Sequence, residues 1–162
     1  VIEPTLHLVC GKIAAGKSTL SAELGAAPGT VTLAEDAWLA QLYPGEILTV
    51  ADYVRCAARL REAVTPHVES LLRAGLSVVL DFPANTRANR AWMRGIIDRT
   101  GAKHRLYWLD VPDEVCRARL RQRNAAGMHD FAASDAEYDA ITAYFTAPQV
   151  DENFEVVHRR MA

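Results

Sequence analysis

LHLVCGKIAAGKSTLSAEL, residues 6–24, is the stretch on which the reading of this chain turns. Leu6–Cys10 is a short, nearly continuous apolar run, the pattern of a strand buried on both faces in a parallel sheet. Gly11–Ser18 is a loop of small residues, and Thr19–Leu24 reads as the helix that follows. Gly11, Gly16, Lys17 and Ser18 fit every fixed position of G-x-x-x-x-G-K-[ST]. That chemistry needs glycines where backbone N–H groups turn inward around phosphate oxygens with no Cβ in the way. Lys17 is then placed to reach β- and γ-phosphates and the Ser18 hydroxyl to sit on Mg²⁺, while the helix aims its positive end at the same anion. The expected nucleotide contacts are Gly11, Ala14, Ala15, Gly16, Lys17, Ser18 and Thr19. The competing explanation is a chance glycine-rich turn. Such a match arises on the order of once in a hundred chains or less, and here a buried strand and a helix flank it in the right order.

Outward from this loop, strand-like and helix-like segments alternate. Val31–Ala34 is a second short strand, followed at once by Glu35 and Asp36. Trp38–Tyr43 reads as a helical turn or two, stopped by Pro44-Gly45. Thr49 with Asp52 caps a long helix through about Arg73, which Pro66 is expected to kink or divide, Thr65 acting as a possible new cap. Leu76–Leu80 is the third strand and ends on Asp81. Asn85 or Thr86 caps a helix to about Thr100. His104–Val111 contains the fourth strand, and Pro112-Asp113 opens a helix through about Asn124. After a loop at Ala125–Ala133, Ser134 with Glu137 forms a capping box for a helix ending near Phe145. Phe154–His158 is the expected fifth strand. Strands separated by helices imply crossover connections and a parallel sheet covered on both faces. The predicted fold is therefore α/β in three layers. Ligands bind at the carboxyl ends of strands in such sheets, where Asp36 and Asp81 stand beside the Gly11–Ser18 loop.

Composition bounds the function. With 162 residues the chain is predicted to be one domain, long enough to bury a core without disulfides or metals. Its net charge of −2 argues against polynucleotide as the main partner, because such binding draws its affinity from phosphate neutralisation. No run of 18 apolar residues and no basic-then-apolar leader is present, so neither a membrane span nor a signal peptide is expected. Cys10, Cys56 and Cys116 stand alone, with no CxxC pair and no zinc-like spacing, which fits buried thiols in a reduced, cytoplasmic protein.

A phosphate loop alone does not separate a kinase from a hydrolytic switch. The guanine-reading motif Asn-Lys-x-Asp is absent from the sequence. The rest resembles the small P-loop kinases: AAA_33-type kinases, gluconate and shikimate kinases, polynucleotide kinase, chloramphenicol phosphotransferase and zeta-toxin kinases. The resemblance spans nearly the whole chain. It rests on Ala34-Glu35-Asp36 after strand two, on Asp81 with Asn85-Thr86-Arg87 through Arg90 after strand three, and on Leu109-Asp110-Val111-Pro112 leading into Arg119-Leu120-Arg121-Gln122-Arg123. The last run, followed by Gly127-Met128-His129-Asp130-Phe131, is similar to the lid of gluconate kinase, but longer and interrupted. Asp81 departs from gluconate kinase toward the polynucleotide-kinase and zeta-toxin branch.

The resemblance implies a P-loop NTPase fold with a five-stranded parallel sheet, an acceptor-binding region over about 37–74 and a short helical lid over about 117–133. It further implies transfer of the γ-phosphoryl of ATP, with Mg²⁺, to a hydroxyl of a small molecule. In that scheme Lys17, Asp36, Arg119 and Arg123 are catalytic, Asp36, Arg87 and Arg90 bind the acceptor, and Ser18 and Asp81 hold the metal. Each has an ordinary alternative. Asp36 fits a helix N-cap and Asp81 a turn residue. The arginines fit solvent-exposed snorkelling side chains, as expected for Arg117 and Arg121. Trp38, Tyr43 and Tyr53 mostly fit core packing, and Arg55 and Arg59 fall in the same acceptor region. His129 reads as a surface residue. The remaining alternatives at this level are a polynucleotide 5′-hydroxyl kinase, an ATP-sensing module without transfer, and a plain NTPase.

Overall fold

The structure, a computed structural model, describes residues 3–127 and 134–160. Five strands form one parallel sheet: β1 (Thr5–Gly11), β2 (Thr30–Ala34), β3 (Ser77–Asp81), β4 (Lys103–Asp110) and β5 (Val156–Arg160). They lie in the order β2-β3-β1-β4-β5, so β1 is central and its C-terminal loop opens between its neighbours' carboxyl ends. Leu8 pairs with Leu80 of β3 and with Leu106 of β4, which fixes the register on both sides.

Alternation along β1 explains the layers. Leu6, Leu8 and Cys10 face one side and pack with α3 (Val50–Arg73) and α4 (Arg87–Thr100). Val9 faces the other and packs with Leu20 of α1 (Lys17–Gly25) and with Tyr107. The result is the expected three-layer sandwich. α3 presents Cys56, Ala57, Leu60, Val64, Val68 and Leu72 to the sheet at spacings of three and four, one face of a helix. Each such fully buried aliphatic contributes about 1.5–3 kcal/mol.

Pro66 does not divide α3; the helix runs through it without a break. Thr65 is accordingly no cap. Its hydroxyl donates to the Arg61 carbonyl at 2.6 Å and accepts from Trp92 Nε1 at 2.8 Å, so the helix is pinned to α4 at the residue before the proline. Packing on both sides of Pro66 outweighs the roughly 3 kcal/mol that an interior proline costs. Other elements shift by a residue or two: α1 begins at Lys17, and β5 starts at Val156 instead of Phe154. Thr86, not Asn85, caps α4, its hydroxyl accepting from Asn89 N. Three further helices, α2 (Glu35–Leu42), α5 (Asp113–Ala126) and α6 (Asp135–Thr142), surround the carboxyl end of the sheet. Among the described residues no helix is long and apolar enough to cross a membrane. All three cysteines are free and buried.

Candidate active site

The loop between β1 and α1 owes its shape to a few residues. Gly16 has φ of 106°, in the left-handed region that suits glycine, and Ala14 also adopts a positive φ of 63°. Such alternation turns successive backbone N–H groups toward one point and creates an anion-binding nest. Gly11 is required for a different reason: a Cβ there would come within 3.2 Å of Ala15 Cβ and 3.3 Å of Leu109. Lys17 folds back over the loop, its ammonium donating to the Gly11 carbonyl at 2.7 Å and to Lys12 at 3.2 Å. Burial holds the Lys17 pKa below the ordinary lysine value. Ser18 and Thr19 follow in the first turn of α1.

Asn85 is a residue that sequence reasoning placed as a cap and whose task is different. Its Oδ1 accepts from Gly11 N at 3.0 Å, fixing the first residue of the loop, while its carbonyl accepts from Thr146 N. The signal was its position just beyond β3, beside the loop in space.

Opposite the loop, three carboxylates gather at the ends of β2 and β3. Asp81 ends β3, and its pKa is raised, first by burial and then by the charge of Asp36, against the lowering pull of Lys17. Asp36 is exposed in the first turn of α2; the cap is Ala34, so Asp36 is not the N-cap. Glu35 is the member that sequence reasoning passed over. It is only 2% exposed, and its Oε1 accepts from the Tyr53 hydroxyl, while Oε2 has no hydrogen-bond partner. Burial raises the Glu35 pKa, the Tyr53 bond lowers it and Asp36 raises it further. Its sequence signal was the apolar-in register of α2, which turns Glu35 and Leu39, four apart, to the same buried face.

Asp36 and Tyr53 both line a cleft of about 380 Å³, with Leu39, Ala40, Tyr43 and Ile47 among its other walls. Tyr43 and Tyr53 pack against the core as expected, whereas Trp38 is exposed. A larger groove of about 620 Å³ lies between α3 and α4 around Trp92, but no residue of the phosphate loop and none of these three carboxylates borders it. The smaller cleft is the one that borders a member of this carboxylate group.

The arginines separate into two groups. Arg119 reaches from α5 over the loop, with Nη1 3.4 Å from the Ala14 carbonyl and 3.5 Å from that of Ala15. Arg123, one turn on, has its charge felt at Lys17, and its buried Nε has no hydrogen-bond partner. Apolar packing of Ala15 with Cys116, Leu120 and Tyr138 seats α5 against the loop. Arg117 is not simply in solvent: it pairs with Asp139 and lies over the Tyr138 ring, tying α5 to α6. Arg121 pairs with Asp135 near the surface.

Arg90 must be corrected. It is fully buried, donates to the carbonyls of Ala84, Thr146 and Ala147, and forms an ion pair with Glu152 at 2.8 Å. Every one of its donors is spent on the protein, so in this structure it secures the 146–152 segment and does not face an acceptor. Arg87 is half exposed and paired with Asp151 at 2.7 Å. The Met128–Phe131 part of the lid-like stretch, with His129, lies outside the described residues.

Ser18, Asp36 and Asp81 offer hard oxygen donors of the kind Mg²⁺ takes when it keeps several waters and binds one or two carboxylates together with phosphate oxygens. The charge of Asp36 helps raise the Asp81 pKa, though no group of three or more metal-ligating side chains forms among the described residues.

A family model for the AAA domain, AAA_33, matches residues 6–148. The chain belongs to this AAA domain family. Solved structures of similar fold include a candidate kinase from Chloroflexus aurantiacus, 18% identical with a TM-score of 0.75 over 98% of this chain and 85% of that one. The APS kinase CysC of Mycobacterium tuberculosis, in complex with AMPPNP and APS, is 19% identical with a TM-score of 0.60, covering 99% of this chain and 90% of its own. A gluconokinase from Sinorhizobium meliloti 1021 is 15% identical with a TM-score of 0.62 over 100% and 85%. At these identities the likeness establishes the fold alone, an α/β P-loop architecture. A search of curated protein sequences returned no significant match.

Proposed function

We propose that the protein is a phosphotransferase that moves the γ-phosphoryl of ATP to a hydroxyl of a small-molecule acceptor. The observation that carries this reading is the exposed Asp36 carboxylate at the wall of a cleft, with its charge felt at Asp81, which in turn interacts with Lys17 of the phosphate loop. A site built only to hold nucleotide needs no such carboxylate at the mouth of a second cleft.

In this reading the loop N–H groups and Lys17 hold the β- and γ-phosphates. Asp36 accepts the hydroxyl proton as the acceptor oxygen bonds to Pγ and the bond from Pγ to the β,γ-bridging oxygen breaks, leaving ADP and a phosphate monoester. Arg119 and Arg123 neutralise charge on the transferring group, since phosphoryl transfer asks the protein chiefly for position and positive charge. Arg87, the other basic residue of α4 considered for the acceptor, is paired with Asp151. Ser18 and Asp81 would hold Mg²⁺, which would supply charge neutralisation on the phosphate oxygens. In this reading α5 from Arg117 onward belongs to the lid, and 37–74 is the acceptor region.

The test is transfer of labelled phosphate from ATP across a panel of hydroxyl metabolites, antibiotics and a 5′-hydroxyl oligonucleotide. Lys17→Ala is expected to abolish nucleotide binding. Asp36→Asn is expected to keep ATP affinity and lose transfer by about 10²–10⁴-fold, the usual worth of a general base. Slow phosphate release with no labelled product from any acceptor, unchanged by Asp36→Asn, would instead identify an ATP-sensing module or a plain NTPase.

A further inference from the structure

Among the described residues, the cleft beside Asp36 has no basic side chain in its wall. We infer that its ligand is an uncharged or cationic hydroxyl compound with an apolar ring or chain portion, and that acceptors bearing a carboxylate, sulfate or phosphate are excluded. This rests on the phosphotransferase reading above and names the acceptor class for the same site.

The wall is made of Leu39, Ala40, Tyr43, Ile47 and Tyr53 with Asp36 as its one charge among the hydrogen-bonding groups. Among the described residues the nearest cations lie outside the wall, although the charge of Arg61 is felt at Tyr53 and Glu35. Arg61 bonds Asn89, lies over the Trp92 ring and spends its charge on buried Glu35. Arg87 pairs with Asp151 and Arg90 with Glu152. Arg55 pairs with Asp52. At 100° per residue, Arg55 and Arg59 project from the side of α3 away from Tyr53. Lys17 belongs to the phosphate loop. What remains around the cleft is negative: Asp36 and Glu35, with Asp81 close enough to feel Asp36.

The surroundings are apolar as well. Trp38 and Leu42 of α2, Leu48 of the connection, and Val50 and Val54 of α3 are all large exposed hydrophobics in the two helices and connection that build this cleft. Five such side chains in one short region exceed the scattered single exposures of an ordinary surface. None of the five borders the cleft itself, whose own apolar side chains a ligand body would cover, whereas an anion there meets the charge of Asp36 with no basic partner in the wall.

The experiment measures binding by calorimetry, with and without a non-hydrolysable ATP analogue and Mg²⁺. The probes form a matched series: 4-(hydroxymethyl)benzamide, 4-(aminomethyl)benzyl alcohol and 4-(hydroxymethyl)benzoate. Chloramphenicol, spectinomycin and gluconate serve as larger members of the neutral, cationic and anionic classes. The neutral or cationic probes are expected to bind about tenfold or more tightly than their anionic counterparts. Ala40→Arg, which puts a cation into the wall at an exposed position, is expected to erase or reverse that order while leaving affinity for the ATP analogue unchanged. Equal or tighter binding of the benzoate or gluconate by the unaltered protein would overturn the inference. So would the absence of binding by every neutral and cationic probe, or an order insensitive to Ala40→Arg. Failure to bind the ATP analogue would count against the kinase reading alone, because the nucleotide-free arm still reads the charge preference.

Discussion

The Tyr53 hydroxyl of α3 donates to buried Glu35 in the first turn of α2, one residue before Asp36. This bond joins the helix that walls the acceptor cleft to the turn that carries the proposed base. Removing it by Tyr53→Phe leaves a buried carboxylate with neither oxygen bonded, at a cost of about 1.5–3 kcal/mol. The expected outcome is a lower melting temperature and reduced transfer, with ATP affinity unchanged. A Tyr53→Phe protein that transfers phosphate at the original rate would show that the bond does not position Asp36.

Glu35 itself makes a pH-dependent contribution of definite sign. Its folded-state pKa is raised above the ordinary value of 4.5, so the folded chain binds its proton more tightly than the unfolded one. Stability from this group is present below that ordinary value and is lost as pH rises through the raised one. Glu35→Gln keeps an acceptor for Tyr53 and removes the buried charge. The variant should melt a few degrees above the parent at neutral pH, with the difference vanishing below about pH 4. Melting curves across pH 4–8 check this.

Arg90 and Glu152 behave in the opposite sense. Burial pushes the Glu152 carboxyl up, but Arg90 and the Gln149 backbone hold it below the ordinary 4.5. Its stabilisation is present above that value and is lost as pH falls through the lowered one. Arg90→Met strands the Glu152 carboxylate and three carbonyls, and is expected to cost about 3–5 kcal/mol in denaturant unfolding. A loss under 1 kcal/mol would return Arg90 to the list of acceptor ligands.

Ala14 holds a positive φ that a Cβ disfavours. Ala14→Gly should stabilise the protein by up to about 1 kcal/mol by relieving this conformation while preserving ATP affinity. Lower stability would mean that the alanine methyl, packed beside Ala15 and Leu120, contributes more than its backbone costs.

Arg119 and Arg123 approach the phosphate loop, and Arg117 and Arg121 do not. Steady-state kinetics on single glutamine variants should show kcat reduced by about 10²-fold for the first pair. The second pair should show changes of a few-fold at most, since their partners sit on α6.

Much of this was legible in the sequence because it depends on short-range pattern. The five strands, the helix caps at Thr49 and Ser134, and the phosphate loop all follow from apolar period and turn chemistry. Pro66 misled because its effect is decided by Trp92 and Thr65, which are 27 residues apart. Arg90 looked like surface because a helix-wheel position does not reveal that residues 146–152 will fold over it. Glu35 and Asp36 are adjacent carboxylates, and only the packing of α2 on α3 shows which one is buried. The charge of the acceptor cleft was hidden for the same reason: the arginines are nearby in sequence, and their partners are not.

The bond from Asn85 to Gly11 N spans 74 residues, and the contacts that hold Asn85 and Arg90 in place come from Thr146 to Glu152. During synthesis, β1 and its loop emerge first, yet β1 is the central strand and has neither neighbour until β3 and β4 exist. Domains assemble as units once their distant contacts are available. β1 and its loop are therefore made before the strands that flank them and before the residues that hold Asn85. The cradle around the loop is complete only once the segment that closes over Arg90 has been made.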